Sequence, residues 1–215
     1  LPSLSENWGE DTLIPQLKEF EAILTQINGK ITFNILQLLN GAVECLNDEE
    51  IYCEIGCETG INLIGSLLNN QDKIAYVVDT LDDDQFNQLI DNLAKFNLDE
   101  QVFFCNQNYE EFFTDLKELQ PEIKIGVYFN NGNSDYRSTL MGLLLVRPFL
   151  ADQALIIINN SNYTMVSQTN YDFINSNKAC NLLIELPSPP APSPKLGRGD
   201  EGVRVITILT WDVNQ

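Results

Sequence analysis

The chain has 215 residues, 44% of them hydrophobic, with 31 acids against 12 bases, no histidine and a net charge of −19. This is enough apolar material for one full core, and no apolar run approaches the ~20 residues of a membrane span. The charge repels polyanions at long range and no basic stripe offsets it, which excludes nucleic acid as a partner; the missing histidine excludes His-dependent triads and the commonest general base.

Residues Leu1 to Pro15 are polar and irregular, without the charged and apolar regions of a signal peptide. Apolar residues at helical spacing predict helices over Gln16 to Ile27 and Phe33 to Leu46, the first stopped by Asn28-Gly29. Residues 1–50 therefore read as a helical extension that caps a ligand site, pairs with a second copy in a homodimer, or packs on a sheet edge.

The stretch Ile51 to Gly65, I-Y-C-E-I-G-C-E-T-G-I-N-L-I-G, organises the rest. It predicts a short buried strand, a turn opened by Gly56 and Gly60, and a helix from Ile61 to Leu68. Such a turn lets backbone approach a ligand and points free N–H groups into the same space. A second strand, Ile74 to Val78, ends at Asp79, where an acid can accept both hydroxyls of a ribose. A nucleoside site is expected; a strand, turn and helix that bind nothing are the plain alternative. A dinucleotide site would want G-x-G-x-x-G, whereas Gly56 and Gly60 enclose Glu58, whose charge would repel a pyrophosphate.

Strand and helix then alternate, the mark of a parallel sheet: helix Gln85 to Phe96, strand Val102 to Cys105, helix Tyr109 to Leu119, strand Ile125 to Phe129, an all-round apolar helix Leu140 to Leu150, and strand Ala154 to Ile158. Strands Cys180 to Leu186 and Val203 to Trp211 suit an antiparallel hairpin. Between them, Pro187 to Gly202 is rich in proline and glycine and reads as a mobile insertion outside the core rather than a ligand for a partner domain. The cysteines Cys45, Cys53, Cys57, Cys105 and Cys180 are odd in number and mostly lie in apolar patterns, as expected of reduced thiols in a cytoplasmic protein. Cys53 and Cys57 lack the further ligands of a zinc site, and no metal site is expected.

The acid-x-Gly-x-x-x-Gly pattern of Glu54, Gly56 and Gly60 resembles the first motif of class I S-adenosylmethionine-dependent methyltransferases, with Asp79 at their ribose-binding acid. From Glu54 to Asn214 the chain resembles the catechol O-methyltransferase type, above all a largely cyanobacterial group. That group's fourth strand exits into V-Y-x-Y-D-G-A-H-D-Y-R-S, written here V-Y-F-N-N-G-N-S-D-Y-R-S over Val127 to Ser138; its I-I-V-D-D-S-N-W is written I-I-I-N-N-S-N-Y over Ile156 to Tyr163.

The resemblance implies a Rossmann-like, doubly wound α/β fold of seven strands, mostly parallel, over 51–215. It also implies S-adenosylmethionine as cofactor, held by Glu54, Gly56, Glu58, Gly60, Asp79 and Asn108. Methyl transfer to an oxygen of a small-molecule acceptor follows, with Asn131, Ser134, Asp135 and Tyr136 on the acceptor side. Several positions depart from the pattern: Asn131, Asn159 and Asn160 replace Asp, Ser134 replaces His, and Asn108 stands where an acid often holds the adenine amino group. An amide brings no charge to a cation and no basic site for a proton. Activity is therefore expected to be weak or absent and independent of metal. A methyltransferase fold that binds without turnover is the alternative.

Overall fold

The computed structural model describes residues 19–29, 31–188 and 204–214. The strands β1 (Glu50–Ile55), β2 (Ala75–Asp79), β3 (Val102–Asn106), β4 (Lys124–Asn130), β5 (Leu150–Ile158), β6 (Cys180–Ser188) and β7 (Arg204–Asp212) form one sheet in the order β3-β2-β1-β4-β5-β7-β6. The first five are parallel, and β7 runs antiparallel to both β5 and β6. This is the doubly wound sheet with a closing hairpin that the strand pattern predicts.

Alternation along each strand divides the core in two. Tyr52, Val127 and Phe129 face one layer, and Cys53, Ile55 and Tyr128 face the other. A strand covered on both sides must be apolar at nearly every position, and β1 and β4 read as continuous runs for that reason. The helices α1 (Glu19–Gln26), α2 (Phe33–Glu44), α3 (Ile61–Leu67) and α4 (Asp83–Lys95) cover the first face; α5 (Tyr109–Leu119), α6 (Tyr136–Val146) and α7 (Thr164–Ser176) cover the second.

The two N-terminal helices are built into the first layer, since Phe20, Ile23, Leu36 and Leu39 share one cluster with Val77 and Phe129. Asn40 of α2 donates through Nδ2 to the carbonyls of Gly65, Ser66 and Leu68 at 2.9, 3.2 and 2.7 Å, satisfying the orphan acceptors at the end of α3. Gly65 packs against Leu36, and a side chain there would make Leu36 shift.

Three departures from the sequence pattern have physical causes. The apolar run expected as a buried helix over Leu140 to Leu150 is instead α6, a 3-10 turn over Arg147–Phe149 and the start of β5. Pro148 falls in that turn and cannot continue the helical ladder, while Leu144 is 39% exposed, so α6 is amphipathic rather than buried all round. The sequence pattern gives no sign of α7, because its inward positions Val166, Thr169, Asn170 and Phe173 have helical spacing but two of the four are polar. Finally, Pro187 and Ser188 pair with Val205 and Arg204 in the hairpin ladder rather than belonging to the insertion. β6 is an edge strand, where a residue without an N–H costs the ladder little.

The remainder of the proline- and glycine-rich stretch, 189–203, lies outside the described residues. Its composition offers no apolar face for burial. Joining Ser188 to Arg204 through an Asn-Gly pair should therefore leave the thermal midpoint unchanged or slightly raised, since a two-residue turn suits an antiparallel ladder. A midpoint lowered by more than about 5 °C, which for a domain this size reports more than 1 kcal/mol, would show that the stretch packs on the domain.

Candidate ligand site at the carboxyl ends of the strands

From β1 the chain winds outward through β2 and β3, then returns to β4 on the other side of β1. The loops leaving β1 and β4 consequently diverge, and the crevice between them is where open α/β sheets take ligands. Two cavities occupy it. The larger, about 500 Å³, is bounded by Ile31 and Ile35 near α2, by Glu58 and Asn62, and by Asn131, Ser134, Asn159 and Asn160. The smaller, about 130 Å³, is lined by Gly56, Asp79, Gln107, Asn108 and Asn130, and the two share Gly132 and Asn133. A third cavity of about 490 Å³ lies at the opposite end of β1 and β4, beside Cys45, Glu50 and Trp211. There the Glu50 carboxylate already accepts from the N–H and Nδ2 of Asn47, and the switch point favours the first two.

Gly56 and Gly60 both have positive φ, +81° and +83°, the left-handed region in which only glycine is unstrained. At Gly56 the neighbour that forbids a side chain is the β4 loop: a Cβ there would meet the Asn131 carbonyl oxygen at 2.6 Å and the Gly132 nitrogen at 2.8 Å. At Gly60, which precedes α3, it would strike Leu89 of α4 at 2.6 Å. Glu58 lies between them with φ +50°, a strained geometry for a residue with a side chain. Its N–H donates to Asp79 Oδ2 at 2.9 Å, while Asp79 Oδ1 accepts from the N–H of Thr80 at 2.7 Å. Asp79 thus clamps the glycine turn and still presents a free lone pair on each oxygen.

Glu54 lies beneath this turn, fully buried. Tyr52 donates its hydroxyl to Oε2 at 2.9 Å, and Oε1 has no hydrogen-bond partner among the described residues. Burial pushes the carboxyl up to about 8, reinforced by the Asp79 and Glu58 charges and only partly opposed by Tyr52 and the neighbouring Asn62 amide.

The amides of Asn131, Asn159 and Asn160 are joined in one chain. Asn131 Nδ2 donates to the Gly56 carbonyl at 2.6 Å, Asn159 Nδ2 donates to Asn131 Oδ1 at 2.7 Å, and Asn159 Oδ1 accepts from the Asn160 N–H at 2.8 Å. Asn160 Nδ2 then donates to Ser134 Oγ at 3.0 Å. Asn160 has φ +58°, a conformation that asparagine tolerates better than most residues. The loops after β1, β4 and β5 are therefore stitched together through Asn131 and Asn159, whose side chains each donate and accept, which a carboxylate cannot do.

Other sequence candidates have local tasks. Asp135 caps α6 by accepting from the Ser138 N–H at 2.9 Å, and those hydrogen bonds hold its carboxyl below the usual range. Tyr136 donates its hydroxyl to Asp172 of α7 at 2.9 Å. Neither lines the two cavities. Asn108 lines the smaller one and also caps α5, accepting from the Glu110 N–H at 2.8 Å. Cys53 and Cys57 lie in opposite core layers, both free and both with thiols raised by burial. Cys45 is exposed rather than buried. No group of three or more His, Cys, Asp or Glu among the described residues is placed to hold a metal ion. No described helix is long and apolar enough to cross a membrane.

No protein-family model matches the sequence, and neither does any curated protein. Solved structures do match in shape. An O-methyltransferase from Bacillus cereus, solved with S-adenosylhomocysteine, superposes with a TM-score of 0.70 over 98% of this chain and 96% of its own, at 13% identity. An O-methyltransferase of tomaymycin synthesis from Streptomyces achromogenes, solved with S-adenosylmethionine, gives 0.67 over 98% and 94%, at 11% identity. The chain has the fold of these methyltransferases.

Within this methyltransferase fold Asn130 belongs to the strand exit, Asn130 to Ser134, where the sequence pattern already places candidate residues. It is 4% exposed at the end of β4, lines the smaller cavity, and its Nδ2 has no partner among the described residues. The signal was an amide closing an otherwise apolar strand, since an unpaired buried donor is costly unless something arrives to accept from it.

The Glu54 carboxyl links the site to pH. Its folded value of about 8 exceeds the ordinary 4.5, so the folded state holds the proton more tightly than the unfolded state does. Stability contributed by this group is complete below pH 4.5 and declines up to about 8, by roughly 1.4 kcal/mol per pH unit at the steepest. Glu54→Gln should flatten that decline, making the variant more stable relative to wild type at pH 8 than at pH 5 in urea unfolding. Parallel pH profiles for the two proteins would refute the assignment.

Proposed function

We propose that the chain binds S-adenosylmethionine across the two cavities and transfers its methyl group to an oxygen of a small acceptor. The observation that carries this reading is the meeting of the Gly56 turn, the Asp79 carboxylate and the Asn130 side chain around one cavity at the switch point of a methyltransferase fold. Asp79 has one lone pair to spare on each oxygen for the ribose hydroxyls, and Asn130, Gln107 and Asn108 offer polar groups around the same small cavity. The residues present fit the cofactor, which supplies an electrophilic methyl group.

On the acceptor side the larger cavity presents amides and a hydroxyl. Ser134 Oγ accepts from Asn160 and keeps its own proton to donate to an acceptor's oxygen. Ser134 and the neighbouring amides would thus orient that oxygen toward the methyl group the cofactor would supply, and the acceptor's proton would depart to solvent. Holding the partners in line is then the main contribution. Asp135 and Tyr136 act as positioning residues that fix α6, whose preceding loop carries Asn131 and Ser134. A second reading, an adenosyl-binding module without turnover, draws support from the closed amide chain, which leaves no strong base beside the acceptor.

Binding is the first test. Calorimetry with S-adenosylmethionine or S-adenosylhomocysteine should show one site per chain, and Gly56→Val should abolish it, because the new side chain displaces the Asn131 backbone and opens the crevice. No heat at millimolar ligand with the wild-type chain would end the proposal.

Turnover should be weak and indifferent to EDTA. The Asn131 and Asn159 side-chain oxygens already accept hydrogen bonds from neighbours, and amide dipoles offset the dehydration of a hard divalent ion poorly. Restoring Asn131→Asp, Ser134→His, Asn159→Asp and Asn160→Asp together should raise methyl transfer in the presence of Mg²⁺, on the order of a hundredfold where a base is regained. Brisk wild-type turnover that EDTA abolishes would contradict this account.

A further inference from the structure

We infer that Glu58 sets the charge preference of the larger cavity, making it hold a cationic sulfonium more tightly than the neutral thioether that remains after methyl loss. The inference rests on the adenosyl reading of the site. Glu58 is held there at the expense of backbone strain: its φ is +50°, and its N–H is tied to Asp79 at 2.9 Å. Glu58 is the only charged residue on the described lining of the larger cavity, where Asn62, Asn131, Asn159, Asn160 and Ser134 contribute dipoles. No lysine or arginine lines either cavity among the described residues, so nothing there neutralises Glu58, and Asp79 adds a second negative charge from the smaller cavity.

S-adenosylmethionine and S-adenosylhomocysteine differ by one methyl group and one positive charge. Nearly everything else in their contacts cancels, and the ratio of their affinities reports the electrostatic difference at the sulfur. Glu58 is solvent-exposed, so its field is screened, and a single exposed charge of this kind is worth roughly two- to fivefold in that ratio. The same carboxylate stabilises a positive charge that disappears during transfer. It therefore favours retention of the donor and departure of the spent ligand, and it does not lower the barrier.

Calorimetric titration of the full chain with each ligand, in wild type and Glu58→Gln, tests this without measuring turnover. The substitution keeps size and hydrogen-bonding capacity at an exposed position. Expected are weaker binding of S-adenosylmethionine by roughly two- to fivefold, unchanged binding of S-adenosylhomocysteine, and a wild-type preference that shrinks as salt shortens the screening length. Glu58→Asp should retain much of the preference. An unchanged ratio in Glu58→Gln, or a parallel loss for both ligands, overturns the role given to Glu58 while leaving the adenosyl site standing. Binding of neither ligand to wild type overturns the site itself, and this inference with it.

Discussion

The close approach of the β4 loop to Gly56 governs the arrangement of the whole site. With the Asn131 carbonyl oxygen only 2.6 Å from where a Cβ would stand, the β1 and β4 exits touch backbone to backbone. That contact forces the turn into the left-handed region, and the chain meets the demand with glycine at 56 and 60. Once the turn is so directed, the Glu58 N–H reaches Asp79 at the neighbouring strand exit, and three strand ends become one structure. Local geometry at a single residue thereby fixes the positions of groups that come from β1, β2 and β4.

The fold was legible because its causes are local. Buried parallel strands leave apolar runs, amphipathic helices leave a 3.6-residue period, and β1 through α5 repeat that alternation with short connections. Legibility failed where tertiary contacts replace apolar burial. Thr169 and Asn170 of α7 point inward, where Thr169 donates to Met165 O and Tyr136 O and the Asn170 Nδ2 donates to Ser161 Oγ, so the helix carries no continuous apolar stripe. The end of α6 was obscured because Phe149 and Leu150 are as apolar as the helix before them, although Pro148 assigns them to other elements.

Within the site, spacing found the glycine turn and Asp79 because motif positions are fixed along the chain. It could not show which side chains meet across the crevice. Asn131 and Asn159 are 28 positions apart, and Asn131 reaches the carbonyl of Gly56, 75 positions away. Nor could spacing distinguish Asp135, whose carboxylate is taken up as a helix cap, from Ser134 beside it, which lines the cavity. For Gly56 the sequence suggests space for a ligand; the residue does line the smaller cavity, but the side where a Cβ would stand is taken by the Asn131 and Gly132 backbone.

The amide chain also shows why asparagines suit these positions together. A carboxylate at Asn131 would face the Gly56 carbonyl at 2.6 Å with no proton to share, setting two oxygens against each other. It could still accept from Asn159, but an acid at Asn159 would remove that donor too and leave two negative charges in contact. Carboxylates at these positions need a cation between them, whereas amides need only each other. A carboxylate at one position would therefore be out of keeping with an amide at the next. Hydrogen bonds with fixed donor direction hold the β1, β4 and β5 exits together, and they hold them without an ion.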